Sequence, residues 1–490
     1  MYSTRPESPE SRPFDFPNAD ILAISSAGEM AVLLRERGAT GVLARAPLSG
    51  GAAREVLADV IYAGADWTPD GKQLAVVRLV QGKTRLEFPI GNVIQEAAGA
   101  ASPRFSPRGD RIGFFGVSAE GLGTSLVVMD TSGKGRKTLS KGWKDIAGVP
   151  CWSPDGSEIW MTASADTSQM YALYAVDLAG KIRMVTRVPG SLELDDISRD
   201  GRVLVAHHTI LRTMAGLAMG QENELVLSWL DGSLPADLSP DGKTLIFTET
   251  GEGSGTTPAV YLRRTDGGAA VRLGEGHGLA LSPDGKWVVA SVGSSEGKPE
   301  RLVLLPTGAG ESRVMNERLE NFSGAAWLPD GREVVFAAQE KGHRPRIFVQ
   351  SLEGGDPRPL SPEGVYIRPS TNPLSPDGKF VLGISGAKAS LYPLEGGPAR
   401  PVAGLEAGDV PVQWSEEGRS LYVHHFSGLP HNVWLLDPES GKKQPWLEIK
   451  PGESLGGGVG VEVLLTRDGK SYVYGMQRVF SELYVVEGLR

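Results

Sequence analysis

Gly293-Ser294-Ser295-Glu296-Gly297 has the G-x-S-x-G spacing of a nucleophile elbow, in which a serine on a sharp turn attacks a carbonyl with help from a histidine and an acid. Such an elbow needs a strand before it and a helix after it. Here WVVAS precedes and RLVLL follows, and both read as strands, so the pattern is expected to be a loop. The 7 histidines include the pairs His207-His208 and His424-His425 and the single His431. Neighbours on a strand point to opposite faces, and no carboxylate of the kind that backs a metal-bound imidazole is evident beside them. A structural or solvent-exposed role is expected. Cys151 is the only cysteine, which rules out an intrachain disulfide or a thiolate cluster and suits a small buried apolar side chain.

The elements that would position any site emerge from a repeat. WTPDGKQLAVV from Trp67, WSPDGSEIWMT from Trp152, LSPDGKTLIFT from Leu238, LSPDGKWVVAS from Leu281, WLPDGREVVFA from Trp327 and LSPDGKFVLGI from Leu374 are the clearest copies. Weaker copies begin at Phe105, Ile197, Trp414, Leu465 and Ile24, and the shared glycine recurs from Gly28 to Gly469 about every 44 residues. A period near 40 with four strands per repeat marks a β-propeller. Proline presets the first corner of the turn and glycine accepts positive φ where the chain re-enters a strand. The apolar run after the glycine is a strand buried on both faces, and a second hairpin with a Gly-Gly or Asp-Gly turn joins the outer strands, as in RIFVQSLEGGDPRPL from Arg346. One Asp per turn is turn chemistry, since a calcium site gathers several oxygens from one segment. No metal site and no cofactor are expected.

The fold expected is therefore all-β, with tandem propellers of four-stranded blades, about eleven to twelve in all. A single ring usually holds four to eight blades. Five motifs before Gly220 and six after it give a first propeller at 1–232 and a second at 233–490. The first segment, MYSTRPESPESRPF, reads as an outer hairpin, and a strand near Ser11 to Phe16 is expected to complete the last blade. SELYVVEGLR would be that blade's third strand.

Glycine (64) and proline (34) make up a fifth of the chain, which suits many tight turns. Net charge is −9 and no Lys/Arg cluster stands out, which argues against nucleic acid. No apolar leader or long apolar stretch appears, so the chain reads as cytoplasmic without a membrane span.

The Trp/Leu-Ser-Pro-Asp-Gly-Lys repeat resembles the TolB-like, WD-related repeat of bacterial propellers over almost the whole chain. ADILAISSAGEMAV from Ala19, RLEFPIG from Arg85, SLPADLSPDGKTL from Ser233 and SELYVVEGLR resemble the propeller region that follows the kinase domain in bacterial membrane-bound serine/threonine kinases. That resemblance implies a sensor region, extracytoplasmic in its parent. The kinase motifs themselves are missing: no Gly-rich loop with its Val-Ala-x-Lys strand, no His-Arg-Asp loop, no Asp-Phe-Gly. Some serine peptidases of the prolyl oligopeptidase family also carry a TolB-like propeller, but no hydrolase domain is apparent to supply an Asp and a His. Sialidase-type Ser-x-Asp-x-Gly-x-Thr-Trp turns are disfavoured, because Asp and Gly are adjacent here.

Four polar residues sit immediately before the apolar anchor of a repeat, on the strand bordering the central channel: Asp66, Arg104, Asp196 and Asp237. An ionised group there needs a partner or water. An inter-blade ion pair is the favoured reading and a ligand site at the channel mouth the alternative. The function expected is non-enzymatic binding of a protein, peptide or small molecule at a propeller face. The alternatives are a stand-alone TolB-like envelope scaffold and a propeller-type hydrolase or lyase with convergent channel-mouth groups.

Overall fold

A computed structural model describes residues 2–489 apart from 6, 7, 15, 17, 36–39, 98, 118–122, 165–170, 219, 256, 294–298, 387, 407, 426–429 and 451–457. Residues 294–297 of the G-x-S-x-G pattern thus lie outside the described residues. Among the described residues the only helical turn is the 3-10 segment Glu252–Ser254, and no helix is long and apolar enough to cross a membrane. The rest is strand and turn, paired antiparallel apart from a parallel bridge between Arg212 and Gly232, and the fold is a tandem β-propeller.

The repeat motif folds as its chemistry dictates. In the copy from Leu281, the Ser282 hydroxyl donates to Asp284 Oδ1 (2.7 Å) and accepts from the Trp287 N–H (2.9 Å), while the Gly285 N–H closes the turn on Ser282 O (2.9 Å). Serine and aspartate thus hold one another across the turn. The strand that follows a motif turn is buried on both faces because it lies between sheets. In Glu333–Gln339, Val334, Phe336 and Ala338 enter one cluster with Trp327 and Phe348, whereas Val335 and Ala337 enter another with Val365 and Val381.

The chain divides into two compact units, Met1–Thr209 with Ser481–Arg490, and Ile210–Phe480. The division falls inside the strand Val203–Leu217, not at 232–233, because that strand and Tyr472–Val486 each run on from one unit into the other.

In the first unit, four-stranded sheets succeed one another from Ala19–Ile24 to Ile182–Thr186. Arg54–Trp67 serves two of them, bending at Asp59 (φ 63°) and Ala63 (φ 53°) so that it pairs first with Thr40–Pro47 and then with Leu74–Val80. Ser191–Ile197 pairs with Val203–Leu217, and residues 481–486 add the next strand, with His208 Nδ1 2.8 Å from Ser481 Oγ and Val486 packed beside Leu192 and Val205.

In the second unit, sheets run from Ser233–Leu238 to Lys443–Ile449. Val459–Leu465 and residues 472–480 are joined by residues 210–217 and then Leu225–Val226. This corrects the expected closure. The last repeat takes its outer strands from residues 210–226, and SELYVV, continuous with YVYGMQRVF, completes a sheet of the first unit. Among the described pairings, Ser8–Pro13 pairs with Tyr2–Arg5 and completes no blade.

Two of the motif tryptophans tie neighbouring sheets by a hydrogen bond. Trp327 Nε1 donates to Ala280 O at 3.2 Å, as Trp152 Nε1 does to Arg104 O at 3.0 Å. Trp327→Phe keeps most of the buried ring and strands that carbonyl. A loss of about 1 kcal/mol is expected in urea unfolding of the second unit, whereas an unchanged midpoint would assign the ring to packing alone.

Candidate functional site

The channel of the first unit holds a cavity of about 640 Å³. Three strands deliver its polar wall: Arg54–Trp67 brings Tyr62 and Asp66, Ala100–Phe105 brings Arg104, and Ser191–Ile197 brings Glu193, Asp195 and Asp196. Asp66, Arg104 and Asp196 therefore meet, although about 130 residues of sequence separate the first from the last. Asp237 belongs to the other unit and lines its channel.

Two of the four do the same structural work. Asp66 Oδ2 accepts the Phe105 N–H of the next sheet at 2.8 Å, and Asp237 Oδ2 accepts the Leu281 N–H at 2.7 Å. The link expected to be an ion pair is a hydrogen bond from side chain to backbone. Arg104 points its guanidinium at carbonyls, donating to Pro103 O (2.9 Å), Ala65 O (3.2 Å) and Leu22 O (3.4 Å). It acts on the acids through its field and makes no ion pair within 4 Å of them among the described residues. Asp196 accepts its own neighbour's N–H, from Ile197 at 2.8 Å.

Burial pushes Asp66 up to about 6, against the pull of Arg104 and of the backbone N–H groups of Phe105 and Trp67. Burial and the adjacent Glu193 push Asp195 up to about 6, and burial raises Asp196. Asp66 and Asp195, both pushed to about 6 and held on different strands around one cavity, have the chemistry of general acid and base. Cys151, buried beside them with its thiol pushed up by desolvation, stays an inert apolar group.

Sequence reasoning missed Glu193, Asp195 and Tyr62. The LELDD run did carry a signal, three acids within four residues on one channel-side strand. It also missed the histidine partners. His208 Nε2 lies 3.0 Å from Glu193 Oε2, His425 Nδ1 3.1 Å from Asp409 Oδ1 and His343 Nδ1 2.8 Å from Glu363 Oε1. Among the described residues, no group of three or more His, Cys, Asp or Glu is disposed to hold a metal ion.

No protein-family model matches the chain. Over 221 residues it is 28% identical to the uncharacterised peptidase YuxL of Bacillus subtilis, an alignment covering 41% of this chain and 32% of that protein. The chain thus spans about a third of the length of this curated relative. Among solved structures, it is similar to a TolB-type protein from Agrobacterium tumefaciens, with 18% identity, 55% of this chain and 99% of that one covered, and a TM-score of 0.41. It is also similar to an oligogalacturonate lyase from Vibrio parahaemolyticus, with 13% identity, 53% and 77% covered, and a TM-score of 0.34. The peptidase relative overturns the expectation that the chain is not an enzyme. That expectation came from the lack of a contiguous catalytic motif, and a propeller assembles its groups from strands far apart in sequence.

Proposed function

We propose that this chain is a hydrolase-type propeller acting on peptides, with the channel of the first unit as its site. The observation that carries the reading is the convergence of Asp66, Asp195, Asp196 and Glu193 on one cavity large enough for a peptide segment. The 28% identity to a peptidase supports the substrate class. Asp195, held near neutrality, takes a proton from a water that adds to the peptide carbonyl and returns it to the leaving amine as the C–N bond breaks. Glu193 and Asp196 place carboxyl oxygens on the cavity wall that can accept hydrogen bonds from a cationic side chain, and Asp66 fixes the wall by its bond to Phe105. The kinase-sensor reading rests on the sequence resemblance alone.

The test is turnover of fluorogenic peptides containing Lys or Arg. Asp195→Asn is expected to lower kcat/KM at least about 100-fold, mostly in kcat, the lower end of the range ascribed to general acid–base groups. Glu193→Gln is expected to raise KM. Equal rates for the wild type and Asp195→Asn, or no turnover of any peptide, would overturn the proposal.

A further inference from the structure

The unit of residues 210–480 encloses a second, smaller pocket of about 240 Å³, whose wall includes Tyr366, Arg368, Ser370, His424 and Glu462. Its polar groups are unusual. His424 is 1% exposed and its Nδ1 has no hydrogen-bond partner; Oε2 of Glu462 is likewise buried and unpartnered. His431, also 1% exposed, stands edge-on to His424 with ring centroids 5.3 Å apart, and neither of its ring nitrogens has a partner. A buried polar atom left unpaired costs about 1–3 kcal/mol, and native proteins rarely tolerate several together without a reason.

The chain makes room for this arrangement. His424 and His431 come from adjacent strands, Leu421–His425 and His431–Leu436, and Glu462 from Val459–Leu465. A Cβ on Gly460 would lie 1.8 Å from His431 Nε2, so the ring occupies space that any other residue would fill. His425 turns the other way to Asp409, so the His-His pair divides between a satisfied partner and an unsatisfied one.

We infer that this pocket binds a small carboxylate bearing an α-hydroxyl or α-ammonium group, its carboxylate facing Arg368 and its α-group facing Glu462 Oε2 and His424 Nδ1. Size sets the upper limit: at about 30 Å³ per water, the pocket holds the volume of roughly eight waters, enough for a molecule of six to ten non-hydrogen atoms. Charge sets the type. Arg368 supplies a permanent cation, and burial pushes His424 down to about 3 and lowers His431, so both imidazoles are neutral and each offers one donor and one acceptor. Burial also pushes Glu462 up to about 7, against the pull of Arg212 and Arg368, so when protonated it can donate a hydrogen bond to a hydroxyl and when ionised it can pair with an ammonium. A plain carboxylate would leave the Glu462 and His424 atoms unpaired; an amine alone would meet Arg368. The site is independent of the channel acids of the first unit.

The test is calorimetric titration of the whole chain at pH 7 with L-alanine, L-lactate, acetate and methylamine. Alanine or lactate is expected to bind at least tenfold more tightly than acetate or methylamine. His424→Phe, which fills the same space and removes an unpaired nitrogen, is expected to keep or raise the melting temperature of its unit and to weaken binding at least tenfold. Glu462→Gln separates the two forms of the α-group: it weakens alanine at least tenfold if the ammonium pairs with the carboxylate, and lactate far less. Equal binding of all four probes, binding of none, or binding untouched by both variants would overturn the site. Peptide turnover in the first unit is not read by any of these measurements, so the two proposals fail separately.

Discussion

Gly148→Ala is expected to destabilise the first unit by about 3 kcal/mol or more, although it adds a single methyl group. Gly148 lies in the strand Asp145–Trp152 at φ +68°, beside the register shift between Ala147 and Cys151. A Cβ there would sit 2.3 Å from the backbone oxygen of Leu194 and 3.0 Å from Glu193 Cγ. Two costs combine. The left-handed backbone costs an L-residue about 1–2 kcal/mol, and forcing two packed strands apart adds roughly 1–3 kcal/mol. Leu194 is fully buried among Val149, Cys151 and Leu192, so its strand cannot retreat without opening that cluster. Gly201→Ala is the matched control, because Gly201 has φ +84° and nothing within 4 Å of the added carbon. It should cost only the backbone part. Denaturant unfolding of both variants separates the two contributions, and equal losses would refute the close-approach account. Since the displaced strand carries Glu193, Asp195 and Asp196, Gly148→Ala is also expected to lower any peptide turnover while the chain is still folded.

Gly148 also marks where sequence reasoning stopped. The motif glycines were legible because Ser-Pro-Asp-Gly is a local turn, with each residue's reason contained in four positions. Gly148 belongs to a bulge whose constraint is a strand more than forty residues away, and no local pattern announces it. Ring closure was illegible for the same reason: residues 210–217 and 481–486 find their places by pairing across more than 200 residues. The channel positions fared better. A 44-residue period maps the residue before each apolar anchor onto the innermost strand, which is how Asp66, Arg104 and Asp196 could be singled out. What that rule could not supply was orientation. It missed that Asp66 reaches a backbone N–H and Arg104 backbone carbonyls, and that Glu193 and Asp195 share the wall. The pocket around His424 and Glu462 was equally hidden, because a His-His pair looks the same whether its rings are satisfied or not.

Asp66→Asn is expected to stabilise the first unit at pH 7.5 by about 2–3 kcal/mol and to change little at pH 4. Asp66 is partly buried in the channel wall and is pushed from an ordinary carboxylate value to about 6, chiefly by desolvation. The sign follows from proton counting. Between about pH 4 and pH 6 the folded state holds the proton and the unfolded state has released it. The unfolded state therefore binds fewer protons, and stability falls as pH rises through that window. A shift of about two pH units corresponds to about 3 kcal/mol at 1.4 kcal/mol per unit. Asn keeps an oxygen for the Phe105 N–H without carrying the charge. The first unit is the better place to look. In the second, Asp237 is also pushed to about 6, but His424 is pushed down to about 3, and a base with a depressed value gains stability as pH rises, opposing it. Turn aspartates such as Asp155, drawn down to about 2 by Ser153 and Ser157, lose their contribution only well below pH 4 and leave the window clear. Asp195, also near 6, will keep part of the slope in the variant. A pH series of unfolding free energies decides it: a wild-type profile flat from pH 4 to 7, or one unaltered by Asp66→Asn, would contradict the burial argument. A gain in stability accompanied by a loss of turnover would mean that the charge is kept at the channel for chemistry and not for the fold.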